Sequence, residues 1–187
     1  YLAIREFKSA SYNKNMTGEI KTDVPFGVKI AIWVTCAALY VTQVSALLYR
    51  MQNEAEGNVW VYIGEAVMLL GLVLESAADL QKNNAKKKNP RRFVDTGLYR
   101  LVRCPNYLGE LVIWTGAFIL CFGACCTLWQ WILASIGYIG IVYVMFSGAR
   151  RLEMRQTEVY GNDPEFQAYI KRRPLILPFV PIYSVAK

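Results

Sequence analysis

The segment GLYRLVRCPNYLGE, residues 97–110, places Arg100, Arg103, Asn106, Tyr107 and Glu110 where a long apolar block begins. Ionisable groups at membrane depth cost roughly 2.5–3.5 kcal/mol each on insertion scales, so they tend to face a cavity, a partner or a ligand rather than lipid. Asn106, Glu110 and Trp114 follow one another at intervals of four, which puts them on one helical stripe. Asn106 alone could be a helix N-cap, but a cap does not account for Glu110 one turn deeper. A carboxyl in an apolar setting is suited to donating a proton, or a hydrogen bond, to a carbonyl group.

A second group of acids lies upstream. Glu65, Glu75 and Asp79 fall within an arc of roughly 80° on a helix of 3.6 residues per turn. Glu65 reads most simply as a solvated acid. Glu75 and Asp79, near a basic segment, could accept hydrogen bonds from a ligand's hydroxyls or amide, or pair with Arg100 and Arg103. Arginine presents a fixed fork to phosphate oxygens, so Arg100, Arg103, Arg150 and Arg151 could converge on a phosphate-bearing cofactor.

The elements that must position these groups are long apolar blocks. Of the 187 residues 55% are apolar, mean hydropathy is positive, and four blocks approach the roughly 20 residues that about 30 Å of hydrocarbon requires. They are residues 27–49, 59–80, 107–128 and 129–147. None alternates in polarity as barrel strands would, so the spacing predicts an all-α, polytopic helical membrane bundle of about four transmembrane helices. Residues 1–26 read as a polar interfacial segment and 27–187 as the membrane domain, with an amphipathic C-terminal tail over 148–187. In that tail RRLEMRQTEVYG predicts a helix stopping near Gly161. A short helix capped by Asp163 follows from Pro164 to Lys171, and the apolar, proline-punctuated ending is expected to pack back onto the bundle or the membrane interface.

Lysine and arginine cluster in the segment between the second and third blocks and in the tail, and the opposite loops are poor in them. Both termini are therefore expected on the cytoplasmic or matrix side, in the endoplasmic reticulum or the mitochondrial inner membrane. The same bias, with attraction to anionic lipid, accounts for the net charge of +7 without nucleic acid. The chain has no histidine, and its five cysteines form no CxxC pair and no secreted disulfide framework, so no protein metal site is expected. The segment 81–105 is polar, basic and long for a connector, with Pro90 breaking any helix, and reads as a binding loop.

Four segments, ESAADLQK at 75–82, GLYRLVRCPNYLGE at 97–110 with Trp114, SGARRLE at 147–153 and the YIKRRPLILPF ending, resemble in order and spacing the DUF1295 and steroid 5α-reductase C-terminal family. The resemblance covers about residues 60–180. It implies a membrane-embedded reductase in which NADPH delivers hydride to a carbon–carbon double bond conjugated to a ketone, in a lipid-soluble enone of steroid, sterol or long-chain enoyl type. Carried over by position, Glu75, Asp79, Lys86, Arg100, Arg103, Asn106, Arg150 and Glu153 resemble the cofactor-contacting set. Tyr107 and Glu110 would be the catalytic pair at the nicotinamide end. The chain departs from the family at Cys104, where most members have histidine in RHPNY. The family also has further N-terminal helices that help form the substrate pocket, so a shortened or divergent member is expected. Two other readings follow. A relative without catalysis could be a structural or lipid-binding subunit of a larger membrane assembly. The isoprenylcysteine and phospholipid methyltransferases share a similar RHPxYxG segment and use S-adenosylmethionine, but this chain lacks that histidine and has only Glu153 at their paired-glutamate position.

Overall fold

The structure, a computed structural model, describes residues 25–185, so nearly all of the polar N-terminal segment lies outside the described residues. Two compact units divide the chain, Tyr1–Ala38 and Leu39–Lys187. The described part of the first is the apolar start of α1, Phe26–Gln43, whose last residues belong to the second unit. The second unit adds α2 (Ser45–Gln52), α3 (Val59–Lys88), a 3₁₀ turn (Gly97–Arg100), α4 (Pro105–Ile119), α5 (Leu128–Tyr160) and α6 (Pro164–Arg172). All regular structure among the described residues is helical, as the apolar blocks predict.

Among the described residues three helices, α1, α3 and α5, are long and apolar enough to cross a membrane. The fourth expected span is shorter. α4 has 15 residues, about 22 Å at 1.5 Å per residue, and ends at Ile119 instead of reaching 128. Gly123, at φ +84°, turns the chain there, and Thr127 and Gln130 form a capping box that starts α5. The first block also divides, at Val44. Thr42 Oγ1 and Ser45 Oγ donate to the carbonyls of Leu39 and Thr42, at 2.9 and 2.7 Å, and such local bonds bend helices.

Conversely, α3 runs two turns beyond residue 80 into the segment read as a loop. Gln81, Lys82, Ala85 and the three lysines that follow are good helix formers and outweigh Asn83 and Asn84, until Pro90 restricts Asn89, where the helix ends. α5 likewise continues through the basic RRLEMRQTEVY without a break to Gly161. The short helix after it forms as expected, with Asp163 Oδ1 accepting from Glu165 N at 2.9 Å.

α3 and α4 are antiparallel and meet on glycines seven residues apart in each helix. A Cβ on Gly64 would fall 2.8 Å from the Gly116 carbonyl oxygen, one on Gly71 2.7 Å from that of Gly109, and one on Gly109 2.5 Å from Glu75 N. Small residues let backbones approach this closely where lipid supplies no hydrophobic drive between helices. α5 closes the other side of α4: Phe118 stacks on Tyr138 at 4.8 Å, and Thr115 and Tyr138 share a 2.9 Å hydrogen bond. Of the two places expected for the ending, the bundle or the interface, it takes the bundle. Leu175 and Ile176 are fully buried, and Arg103 N and Cys104 N donate to the carbonyls of Pro174 and Leu175 at 2.9 and 2.8 Å.

Candidate functional site: a basic, aromatic cavity

One face of α3 carries Glu75, Asp79, Lys82 and Lys86, at successive intervals of four, three and four. Its acidic half lies where α3 crosses α4, with Glu75 against Gly109 and Glu110 next along α4. Its basic half opens on a cavity of about 300 Å³ between the end of α3, the segment 93–103, the end of α5 and α6. Lys82, Lys86, Arg103 and Arg155 bring four cations to the wall. Phe93 organises its aromatic side, with the rings of Phe166, Tyr169 and Tyr160 at 5.3, 5.4 and 6.1 Å. Tyr99 completes that side; its carbonyl accepts from the Tyr169 hydroxyl at 2.8 Å. Burial, and for Tyr99 also the charge of Asp79, pushes both phenols up, so they remain neutral donors at any physiological pH. A second hollow, about 440 Å³, lies beyond Phe93, but most of the residues in its wall, from the end of α3 and the loop after it, are exposed.

Arg103 is the cavity's buried charge, 2% exposed. Its Nη2 lies 3.1 Å from Glu153 Oε1 and its Nη1 donates to the Tyr183 carbonyl at 2.9 Å, while Nε is buried with no hydrogen-bond partner among the described residues. Glu153 Oε2 accepts from Val185 N at 3.0 Å, so the irregular segment 183–185 is tied to both members of the pair. The partner of Arg103 is thus Glu153, not the Glu75 or Asp79 that its charge could equally have met.

The other residues singled out in the sequence are placed as follows. Lys86 donates to Arg92 O, Tyr160 OH and Pro90 O at 2.6, 2.7 and 3.2 Å, so it also clamps the segment after α3 to the end of α5. Glu75, Asp79, Tyr107 and Glu110 are half-buried and lie outside the cavity wall, towards the α3–α4 crossing. Tyr107 reaches α5, where a Cβ on Gly148 would lie 3.2 Å from its hydroxyl. Asn106 is not the cap: Cys104 holds that position, without a side-chain bond, and Asn106 sits inside the first turn. Glu65, Arg100, Arg150 and Arg151 are exposed. Among the described residues no group of three acids or cysteines could hold a metal. Lys82, Arg155 and the five rings were not singled out from sequence as site residues. The spacing of Lys82, three after Asp79 and four before Lys86, was the one available signal; the rings come together only by tertiary packing.

Cys104 occupies the junction between cavity and α4. Burial pushes its thiol up to about 12, against the opposing pull of Arg103 and Lys82. It is therefore expected to resist maleimide at pH 7–8 in the folded protein, while exposed Cys126, between α4 and α5, reacts, and mass mapping of labelled peptides checks this. Because the unfolded thiol ionises near 8.5, its contribution to stability is complete below that pH and is lost as pH rises towards 12.

The architecture is that of an integral membrane protein with a cavity lined by cations and aromatic rings where two of its long helices end. The chain belongs to the family described as "Protein of unknown function (DUF1295)", which it matches over residues 8–173. It is similar to the 3-oxo-5-alpha-steroid 4-dehydrogenase 1 of Rattus norvegicus, 29% identical over 143 residues, which are 71% of this chain and 48% of that one. The steroid 5-alpha-reductase DET2 of Arabidopsis thaliana is 28% identical over 138 residues, 69% of this chain and 47% of its own. A very-long-chain enoyl-CoA reductase of Dictyostelium discoideum is 29% identical over 122 residues, 64% of this chain and 36% of its own. The chain thus spans about half the length, or less, of these relatives. No solved structure matches it.

Proposed function

We propose that this protein is the cofactor-binding part of a membrane reductase that uses NADPH to reduce a carbon–carbon double bond conjugated to a carbonyl in a lipid-soluble substrate. The observation that carries the reading is the cavity: four cations and five aromatic rings around about 300 Å³, with a buried arginine whose Nε has no partner. That chemistry fits the phosphate and adenine end of a dinucleotide, since arginine and lysine take phosphate oxygens and rings stack a base. The names of the relatives, all reductases or a dehydrogenase, support the same reaction class.

The stripe on α3 supplies a track. From Lys86 to Glu75 is eleven residues, about 16 Å of helix, comparable to the reach of an extended dinucleotide. Lys82 and Arg155 would hold phosphate at one end, and Asp79 and Glu75 would accept hydrogen bonds from sugar hydroxyls or the nicotinamide amide at the other. The bound cofactor supplies a hydride. Glu110, beside Glu75 at the helix crossing, would protonate or hydrogen-bond the substrate carbonyl, with the Tyr107 hydroxyl as the neighbouring donor. Basic residues at the cavity end support a cytoplasmic or matrix side for that end, in the endoplasmic reticulum or mitochondrial inner membrane.

The test is NADPH consumption by the lipid-embedded protein with a panel of steroid, sterol and long-chain enoyl enones. Glu110→Gln is expected to reduce turnover at least about a hundredfold, a loss typical of removing a positioned acid, while NADPH binding persists. Unchanged turnover in that variant would take Glu110 out of the mechanism.

A further inference from the structure

The apolar ending closes into a loop. Leu175 N donates to Ile182 O at 2.8 Å and Ile182 N to Val180 O at 2.7 Å, so residues 175–182 turn back on themselves around Pro178 and Phe179. The base of the loop packs on the bundle. Leu175 and Ile176 share one buried cluster with Cys104, Leu111 and Ala149, and Cys104 N donates to Leu175 O at 2.8 Å. That bond sets the base level with the start of α4 at Pro105, while Ala149 directly precedes the exposed Arg150 and Arg151 on α5. The loop therefore stands where the apolar lengths of two helices give way to charge, which is the depth of lipid head groups.

Its tip is built differently. Phe179 is fully exposed, and Val180 and Tyr183 beside it are exposed as well. Phe179 also takes φ +67°, a left-handed conformation that is rare for a bulky side chain and that Gly or Asn would adopt with less strain. Backbone strain and a ring left in water thus fall on the same residue. Both are offset if the ring enters the boundary between water and hydrocarbon, where aromatic side chains are enriched. The neighbouring charge specifies the lipid. Lys171, Arg172 and Arg173, all exposed, lead into the loop, and no acidic residue follows them in the sequence. Lysine and arginine this close to a bilayer attract anionic head groups.

We propose that the loop 175–182 is an interfacial anchor, with Phe179 inserted among the head groups of the bilayer that the helices span and with Lys171, Arg172 and Arg173 gathering anionic lipid around it. The anchor also steadies the buried ion pair, because Tyr183 O and Val185 N, just beyond the loop, bond Arg103 and Glu153. The proposal rests on the membrane-spanning architecture and not on the reductase reading.

The experiment uses the full chain, one copy per nanodisc, in mixed phosphatidylcholine and phosphatidylserine. A trace of phosphatidylserine carrying a diazirine beside its glycerol is photolysed, and phosphatidylcholine with the same diazirine is the comparison. Labelling of residues 174–183 is read by mass mapping, relative to the exposed start of α3, residues 59–63. The serine lipid is expected to label the loop at least about threefold more than the choline lipid. Phe179→Asn, which relieves the strained backbone, is expected to cut labelling by both lipids at least about fivefold. Arg172→Gln together with Arg173→Gln should remove the preference and leave labelling by the choline lipid. Equal labelling by the two lipids in the unaltered protein, or unchanged labelling in Phe179→Asn, would overturn the proposal. An unlabelled loop would overturn it too and leave the tip to a protein partner. Because the comparison of lipids needs no substitution, it stands even if a variant fails to fold, and its failure leaves NADPH binding untouched.

Discussion

Glu153→Ala is expected to destabilise the protein by about 3–5 kcal/mol, enough to prevent recovery of a folded chain from membranes. The substitution removes the acceptor that faces Arg103 at 3.1 Å, where the two side chains are 1% and 7% exposed, and leaves an arginine cation buried without its counter-charge. It also removes the acceptor of Val185 N, so the C-terminal end of the chain loses one of its ties to α5. Desolvation, not Coulomb attraction, sets the size of the effect. Replacing both partners together with apolar residues of similar volume should therefore cost less than Glu153→Ala alone. Arg92 and Glu165, 3.0 Å apart but 46% and 67% exposed, are the control, and Glu165→Ala should change stability by less than about 1 kcal/mol. Denaturant unfolding in detergent, read by exposure of the buried Cys104 thiol, compares them; equal stability of Glu153→Ala and Glu165→Ala would remove the buried pair from the account of the fold.

Gly109→Val is expected to separate α3 from α4 and with them the acidic groups at their crossing. A Cβ at Gly109 would lie 2.5 Å from Glu75 N and 2.8 Å from Glu75 Cα, so the obstacle is backbone that no rotamer change relieves. Overpacking costs about 1–3 kcal/mol where side chains can yield, and here a helix has to move. Gly57→Val meets nothing within 4 Å and should be tolerated. The two variants are compared by size-exclusion profile and limited proteolysis in detergent. Intact α3–α4 packing in Gly109→Val would show that the glycine contact does not hold Glu75 and Glu110 together.

Much of this arrangement could be read in the amino-acid order. Apolar blocks at 27–49, 59–80 and 129–147 correspond to real helices, and Asp163 and Gly161 mark the ends that they imply. What escaped was governed by contacts between segments. The bend at Val44 depends on hydroxyl–carbonyl bonds and on Gly137 approaching Thr42. The early end of α4 depends on Gly123 adopting positive φ inside an apolar run that hydropathy cannot divide. At the site, Arg103 and Glu153 were named from sequence, yet nothing in their spacing said that they would pair with each other, since Glu75 and Asp79 offered the same charge. The aromatic wall was invisible for the same reason: Phe93, Tyr160 and Phe166 come from three segments that only the fold brings into contact.

The most direct test of the cavity's assignment is a titration of the purified, lipid-embedded protein with NADPH and, separately, with S-adenosylmethionine, following quenching of its five tryptophans. Saturable quenching by NADPH, weakened at least about tenfold by Lys82→Ala, is the result expected if the cations of the cavity hold its phosphates. Saturation by S-adenosylmethionine alone, or by neither compound, would contradict the reductase reading and turn the cavity over to methyl transfer or to a structural role within a larger assembly.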